Sequence, residues 1–128
     1  MWPYDRDIEP PAPFLKVQVH LPGHPDVAQS IHAKLDTGAD VSAIPTFLVE
    51  ELNLCPESQL LIEGYDLHLV TLHTYYVALV VAQARFRRLE VITFPEKYML
   101  LGRDVLNHFY THLNGPELTF DLSLSPPG

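Results

Sequence analysis

The sequence predicts an all-β domain, closed or barrel-like, that carries two helices. Apolar and polar residues alternate with a period of two through most of the 128 residues, as they do in half-buried strands. Turn-forming residues divide these stretches into many short strands. Only two segments have the apolar spacing of a helix, and the sequence contains no internal repeat. A chain of this length is expected to form one domain.

A proline-rich arm, residues 1–13, precedes the first strand. Proline restricts the backbone and lacks an amide donor, so the arm is expected to be extended and unsuited to a regular ladder. The first half of the domain is then predicted to contain, in order, a strand over residues 14–21, a turn over 22–26, a strand over 27–35, a short apolar stretch over 41–44 and a short helix over about 46–52 with Thr46 as N-cap.

The second half of the chain continues the pattern of strands and adds a longer helix. Its predicted elements are a hairpin over residues 59–72 that turns at Gly64-Tyr65-Asp66, a central strand over 75–82, a partner strand over 86–94, a longer helix over about 103–113 and a strand over 118–124. The longer helix is predicted from one apolar stripe, formed by Val105, Leu106, Phe109, Tyr110 and Leu113. Residues 125–128 are a short tail, which leaves 14–124 as the domain.

Charge and cysteine content exclude several classes of protein. The net charge is −8, from 8 Lys and Arg against 16 Asp and Glu, which argues against nucleic acid or anionic membranes as partners. The single cysteine, Cys55, has no partner for an internal disulfide and is expected to be a semi-buried loop thiol. The N-terminus lacks a signal-peptide pattern, and the apolar run at residues 75–82 is shorter than the ~20 residues of a membrane span. A soluble cytoplasmic protein is therefore expected.

The segment with chemical content is Leu35-Asp36-Thr37-Gly38-Ala39-Asp40, where an acid ends an apolar strand and a turn follows at once. The triplet Asp36-Thr37-Gly38 alone is weak evidence, because average residue usage yields one by chance in roughly one chain in twenty of this length. A structural alternative is an aspartate that ends a strand and hydrogen-bonds its own turn.

The surroundings of the triplet give it more weight, because together they resemble the retropepsin-like aspartic proteases. In that family two strands precede the motif, a hairpin flap lies in mid-chain, and two apolar residues with a glycine begin the long helix. The matching features here are the strands at 14–21 and 27–35, the hairpin at 59–72, and Leu100-Leu101-Gly102-Arg103-Asp104. The resemblance covers about residues 14 to 124. It implies a closed retropepsin-like β-barrel with one short and one longer helix, in a homodimer.

The chain contains only one Asp-Thr/Ser-Gly triplet, whereas peptide hydrolysis by this route needs two carboxylates that share a proton. A single copy would therefore hold half of a catalyst, and two-fold symmetry would bring two copies of Asp36 together. The resemblance implies an aspartic endopeptidase that acts on peptides or proteins through an activated water, with no cofactor and no metal. Because the proline-rich arm is a poor interface strand, the C-terminal strand is expected to carry the dimer.

The same resemblance suggests roles for the residues around Asp36. Thr37 would hydrogen-bond across the dimer axis, and Gly38 would let the backbone approach closely. The residues expected beside the substrate are Ala39, Asp40, Gly64 and Tyr65. Those expected to support the catalytic loop are Gly102, Arg103 and Asp104, with Arg103 paired to Asp40. Some aspartic proteases have a hydroxyl residue in place of Ala39 that donates to the catalytic carboxylate; without it, a mildly acidic rate optimum is expected.

Two other readings of the sequence remain open. Gly64 is the single glycine of the predicted flap, where retroviral members have several, so the chain could be a catalytically weak or inactive module that binds peptides or dimerises. His108 and His112 stand four apart on the predicted helix, a spacing that suits zinc, but no neighbouring glutamate or third ligand accompanies them. Helix-edge histidines are the favoured interpretation. Met1 and the complete pattern of elements suggest a stand-alone prokaryotic protein.

Overall fold

A computed structural model describes residues 1–63 and 66–127 of the chain, and these residues form a mostly-β structure. Its strands are, in chain order, β1 (Trp2–Pro3), β2 (Phe14–Leu21), β3 (His24–Leu35), β4 (Ala43–Pro45), β5 (Ser58–Glu63), β6 (Leu69–Val81), β7 (Ala84–Phe94), β8 (Met99–Leu101), β9 (Tyr110–Asn114) and β10 (Thr119–Ser123). Its helices are α1 (Phe47–Glu51) and α2 (Arg103–Leu106).

The larger sheet has the strand order β2-β3-β8-β4-β7-β6-β5 among the described residues. β2 also pairs with β6, where Gln18–His20 run antiparallel to residues 78–80. β3 and β8 are distant in sequence but run parallel, with Leu35 opposite Leu101. Because parallel strands end at the same edge of a sheet, the residues that follow Leu35 and Leu101 are neighbours in space.

The predicted alternation is present in the strands that build the core. In β2, Leu15, Val17 and Val19 are buried, while the intervening Lys16 and Gln18 are exposed. The strand predicted over residues 75–82 is part of β6 and is buried on both faces over residues 77–79, as expected of a central strand. β3 begins earlier than predicted, because the turn before it needs only residues 22 and 23.

Helix α1 agrees with the prediction for residues 46–52, although its start differs in detail. Thr46 occupies the N-cap position but makes no capping hydrogen bond with its side chain. Its hydroxyl instead donates to the carbonyl oxygen of Phe94, 3.1 Å away, and so joins the helix to the end of β7. Cys55 lies in the loop after α1, as predicted, but it is exposed rather than semi-buried.

The longer helix predicted over residues 103–113 is wrong over most of its length. α2 ends at Leu106, and the following residues form β9, which pairs antiparallel with β10. Val105 and Leu106 are buried as predicted, whereas Tyr110 and Leu113 are 52% and 54% exposed. Pairing with β10 gives this segment a ladder of backbone hydrogen bonds, so tertiary context overrides the helical spacing of its apolar residues.

The histidine pair considered as a zinc site does not share a helix face. His108 follows α2, and its ring lies edge-on to Phe86 with the ring centroids 5.2 Å apart. His112 lies on β9 opposite Asp121. The helical spacing argument therefore does not apply, and the described part of the chain has no group of three or more His, Cys, Asp or Glu side chains placed to hold a metal ion.

The proline-rich arm folds back on the domain of its own chain. β1 pairs with β10 in a second sheet of order β1-β10-β9, with Trp2 opposite Phe120 and their rings stacked at 5.5 Å. The Tyr4 amide donates to the carbonyl of Leu118 at 2.8 Å, and Asp5 bridges to Ala12. Both described helices are too short to cross a membrane.

Candidate active site

The Asp36 loop begins where β3 ends. The Asp36 amide donates to the carbonyl oxygen of Leu101 at 2.9 Å, which continues the pairing of β3 with β8 by one residue. Asp36 Oδ1 accepts the Gly38 amide at 3.0 Å, and the Ala39 amide donates to the Asp36 carbonyl at 3.2 Å. The aspartate therefore orders its own turn, as the structural alternative required, while Oδ2 accepts no hydrogen bond from the described residues.

This loop faces solvent in the single chain. Asp36 and Ala39 are half-buried, and Thr37, Gly38 and Asp40 are exposed. A Cβ atom on Gly38 would lie 3.2 Å from Asp36 Oδ1, so a larger residue there would press against the carboxylate. The half-buried carboxylate therefore keeps one oxygen without a hydrogen bond from the described residues, next to a backbone that is exposed in the single chain.

A buried serine links the loop to the second motif. Ser42 is fully buried; its Oγ donates to Asp104 Oδ1 at 2.7 Å, and its amide donates to Asp104 Oδ2 at 2.9 Å. The same Oγ accepts the Gly102 amide at 2.9 Å. The Asp104 carboxylate is thus joined by hydrogen bonds to Ser42, which the sequence did not identify. The available signal was a lone polar residue inside the apolar stretch over 41–44.

Gly102 is required by the close approach of two backbones. A Cβ atom at this position would lie 2.9 Å from the carbonyl oxygen of Ala39 and 2.9 Å from the carbonyl carbon and oxygen of Val41. The next amide, of Arg103, donates to the Ala39 carbonyl at 2.9 Å. The start of α2 therefore packs directly on the backbone of the loop that follows Asp36.

Arg103 reaches the same loop with its side chain. One guanidinium nitrogen donates to the carbonyl of Thr37 at 2.7 Å, and the other pairs with Asp40 Oδ1. Because Asp40 is 83% exposed and Arg103 44%, the ion pair adds little stability. The two guanidinium contacts are directional, so together they hold the loop from Thr37 to Asp40 in one orientation.

Tyr98, which directly precedes β8, carries a phenol whose pKa responds to burial and to the charge of Asp36, and the sequence did not identify it. Burial raises the pKa of its phenol, and the negative charges of Glu96 and Asp36 raise it further. Its ring packs edge-on against Phe14 at 5.3 Å and Phe94 at 5.6 Å. The phenol therefore stays protonated to a higher pH than an ordinary tyrosine does. The available signal was an aromatic residue just ahead of Leu100-Leu101-Gly102.

The predicted hairpin is present as β5 and β6, which pair from Ser58 opposite Thr74 to Glu63 opposite Leu69. Gly64 and Tyr65, expected beside the substrate, lie outside the described residues. The described part of the hairpin exposes large apolar side chains, with Leu61 63%, Leu67 75%, Leu69 60% and Val70 49% exposed. An apolar surface of this kind suits contact with apolar side chains of another chain.

Three side chains join the base of this hairpin to β7. Glu90 Oε2 accepts the hydroxyl of Thr74 at 2.6 Å and that of Ser58 at 2.7 Å, and these two hydroxyls are 2.7 Å apart. The two hydrogen bonds lower the pKa of Glu90 below its ordinary value of 4.5, with the Thr74 bond the larger cause and burial opposing both. The ionised carboxylate therefore holds the hairpin base most firmly.

We expect Glu90→Gln to make stability less dependent on pH. Since the folded pKa lies below the unfolded one, ionised Glu90 stabilises the fold above about pH 4.5, and that stabilisation is lost as the pH falls through the folded pKa. Urea unfolding should show wild type more stable than the variant at neutral pH, with the difference shrinking under acid. Glu51→Gln, at an exposed position of α1, is the control and should show no such change; a difference that grew on acidification would contradict the prediction.

Comparison with known proteins finds similarity in structure but not in sequence. No sequence-family profile and no curated protein sequence matches the chain. The EIAV protease, solved in complex with the inhibitor HBY-793, has a TM-score of 0.58 and 21% identity over 75% of this chain and 86% of its own. The simian foamy virus (mac) protease has a TM-score of 0.53 and 20% identity over 73% and 92%.

A bacterial structure extends the likeness over more of the chain. A retropepsin-like aspartic protease from Rickettsia conorii has a TM-score of 0.58 and 15% identity over 95% of this chain and 88% of its own. Identities this low carry information about the fold rather than about individual residues. The resemblance predicted from the sequence is confirmed at that level: the chain has the fold of the retropepsin-like aspartic proteases.

Proposed function

We propose that the chain is an aspartic endopeptidase in which the Asp36 carboxylates of two copies hold and activate the attacking water. The observation that carries this proposal is the placement of the Asp36 loop, which Leu101, Gly102 and Arg103 hold through backbone hydrogen bonds and close packing. The fold shared with proteases from EIAV, simian foamy virus and Rickettsia conorii supports the same activity.

The proposed chemistry needs the two carboxylates to share one proton. Two neighbouring carboxyls do not both ionise readily, so one is a base while the other is an acid. The ionised Asp36 takes a proton from water, which attacks the scissile carbonyl carbon, and the protonated Asp36 donates to the carbonyl oxygen. The tetrahedral intermediate then breaks at the C–N bond, and the leaving nitrogen receives the proton that the first Asp36 took from water, while the hydroxyl formed on the carbonyl oxygen returns its proton to the other Asp36. With Ala39 after the glycine, we propose a mildly acidic rate optimum.

The loop neighbours have supporting roles in this proposal. Thr37, exposed in the single chain, would hydrogen-bond to its copy across the axis, and Asp40 would bind substrate amides while Arg103 holds it. Gly64 and Tyr65, which the sequence predicts at the turn of the flap, would contact the substrate. We also propose that the pairing of β2 with β6 closes the larger sheet into a barrel, within a domain spanning residues 14–124.

The proposed partner is a second copy of the chain. The C-terminal strand expected to carry the dimer is β10, which has β1 on one side and β9 on the other, so we assign the interface to β9 instead. β9 is last in the order β1-β10-β9, so its second edge is unpaired among the described residues. Its first four residues are exposed, including Tyr110 and Leu113. An exposed edge with large apolar side chains favours pairing with another chain. Antiparallel pairing of β9 with its copy would join two three-stranded sheets into one of six strands.

We expect Leu113→Lys to weaken the dimer by roughly a hundredfold, because two-fold symmetry places each new charge in a shared apolar interface. Sedimentation at micromolar concentration should give a dimer for wild type and a monomer for the variant. Peptidase activity of the variant should recover as its concentration rises. Phe47→Lys, at a 46% exposed position on α1, is the matched control and should remain dimeric. A Leu113→Lys dimer of unchanged affinity would exclude this interface.

A peptide-library digest tests the proposed function directly. Wild type should cleave extended peptides with apolar side chains next to the scissile bond between about pH 4 and about pH 7, with a rate that rises more steeply than linearly with enzyme concentration. The rival is a module that binds peptides or dimerises with little or no catalysis. The single glycine in the sequence of the predicted flap, Gly64, favours this rival. Binding without cleavage across that range would support the rival and end the protease proposal.

A further inference from the structure

A groove of about 920 Å³ lies on the domain away from the Asp36 loop. None of the residues from Asp36 to Asp40, nor Gly102, Arg103 or Asp104, lines it. Its walls come from β2, β3, the turn between β6 and β7, and the end of β10, and Trp2 and Phe109 also line it. A volume of this size lies within the range of clefts that bury a drug-sized ligand.

Two strand edges without a partner face this groove. β2 pairs with β6 only at Gln18–His20, so the lining segment Leu15–Val17 has no strand on that side among the described residues. On β10, β1 covers Thr119 and Phe120, which leaves the lining residues 121–123 without a strand on the β1 side. Such edges offer backbone donors and acceptors to an added strand.

The charges of the groove are opposite in sign to those of the whole chain. Lys16, His20 and Arg85 line it, against one acidic residue, Asp121, whose carboxylate lies 3.3 Å from the amino group of Met1. The net charge of the chain is −8. Apolar lining from Leu122 and Leu124 lies beside these basic residues. A strand presents its side chains alternately to two sides, so acidic and apolar residues in alternation would match the groove.

We propose that this groove binds an extended acidic peptide segment of another protein, added as a strand beside β2 or β10. Backbone hydrogen bonds to the open edge provide the orientation, and Lys16 and Arg85 provide the preference for acidic side chains. The site is independent of Asp36, so it does not require the protease proposal to be correct.

Titration with a fluorescein-labelled peptide of alternating glutamate and valine tests this proposal. Wild type should bind it, and Asp36→Asn should bind it equally well. The double variant Lys16→Glu/Arg85→Glu should bind at least about tenfold more weakly, because two favourable charge contacts become unfavourable. Arg87→Glu/Lys97→Glu changes the net charge equally at exposed positions outside the groove and should bind like wild type.

Further peptides separate strand addition from general charge attraction. A lysine–valine peptide of the same pattern should bind more weakly than the glutamate–valine peptide. Two N-methylated versions of the peptide remove its backbone amide donors, one at the odd-numbered residues and the other at the even-numbered residues. At least one of the two should lose binding. On wild type, NMR amide shifts should change at Leu15–Val17 or at residues 121–124. Any one of four results would overturn the proposal. They are no binding to wild type, an equal loss of binding in both double variants, unchanged binding of both N-methylated peptides, and NMR shift changes only at other residues.

Discussion

Replacing Asp36 with asparagine is expected to reduce peptide hydrolysis by at least about a thousandfold, because an amide can neither take a proton from water nor give one to the carbonyl oxygen. The fold should survive, since asparagine Oδ1 can still accept the Gly38 amide that Asp36 accepts at 3.0 Å. Rates on a cleavable peptide and thermal unfolding together measure the two effects. Asp26→Asn, at an exposed position of β3 outside the loop, is the control and should retain activity.

Mixing the two forms tests whether the site is shared between copies. When Asp36→Asn subunits are added to a constant amount of wild type, mixed dimers form with one carboxylate, and activity should fall as the variant comes into excess. Activity that stays constant under these conditions would contradict a shared site. Full activity of Asp36→Asn by itself would remove this residue from the mechanism altogether.

Gly102→Ala is the substitution with the largest expected effect on stability. The new methyl group would meet three backbone atoms of Ala39 and Val41 at 2.9 Å, and backbone cannot move aside as a flexible side chain can. We expect a loss of about 3 kcal/mol and a fall in Tm of roughly 10 °C. Because the same contact positions the loop after Asp36, activity should fall even at temperatures where the variant is folded.

The matched control for this substitution is Gly115→Ala, in the turn before β10. A Cβ atom there meets nothing within 4 Å, so the Tm should stay the same or rise slightly as the unfolded chain loses freedom. Calorimetry of both variants measures the difference. A Gly102→Ala protein with the Tm of the Gly115→Ala protein would show that the two backbones separate at little cost.

The local pattern of apolar and polar residues was sufficient to predict most strands, because buried and exposed side chains alternate along a strand as apolar and polar residues alternate in its sequence. Leu15, Val17 and Val19 of β2 are examples, whereas β6 was predicted from a continuous apolar run and is buried on both faces over residues 77–79. The pattern failed for residues 107–113, where apolar residues at helical spacing form β9 instead. The partner that makes β9 a strand is β10, which lies later in the chain, and no window of the sequence around β9 contains that information.

Some features of the candidate site were also predictable from the sequence, whereas others depended on the tertiary structure. The sequence by itself determined Asp36-Thr37-Gly38 and Leu100-Leu101-Gly102, because each motif is contiguous and its residue types follow from its chemistry. Only the tertiary structure decided that Ser42 joins Asp104 to Gly102, that the charge of Asp36 acts on Tyr98, and that β9 has an edge without a partner among the described residues. These relations arise where the parallel pairing of β3 with β8 and the pairing of β9 with β10 bring separate segments together, and contacts between distant segments depend on the whole fold.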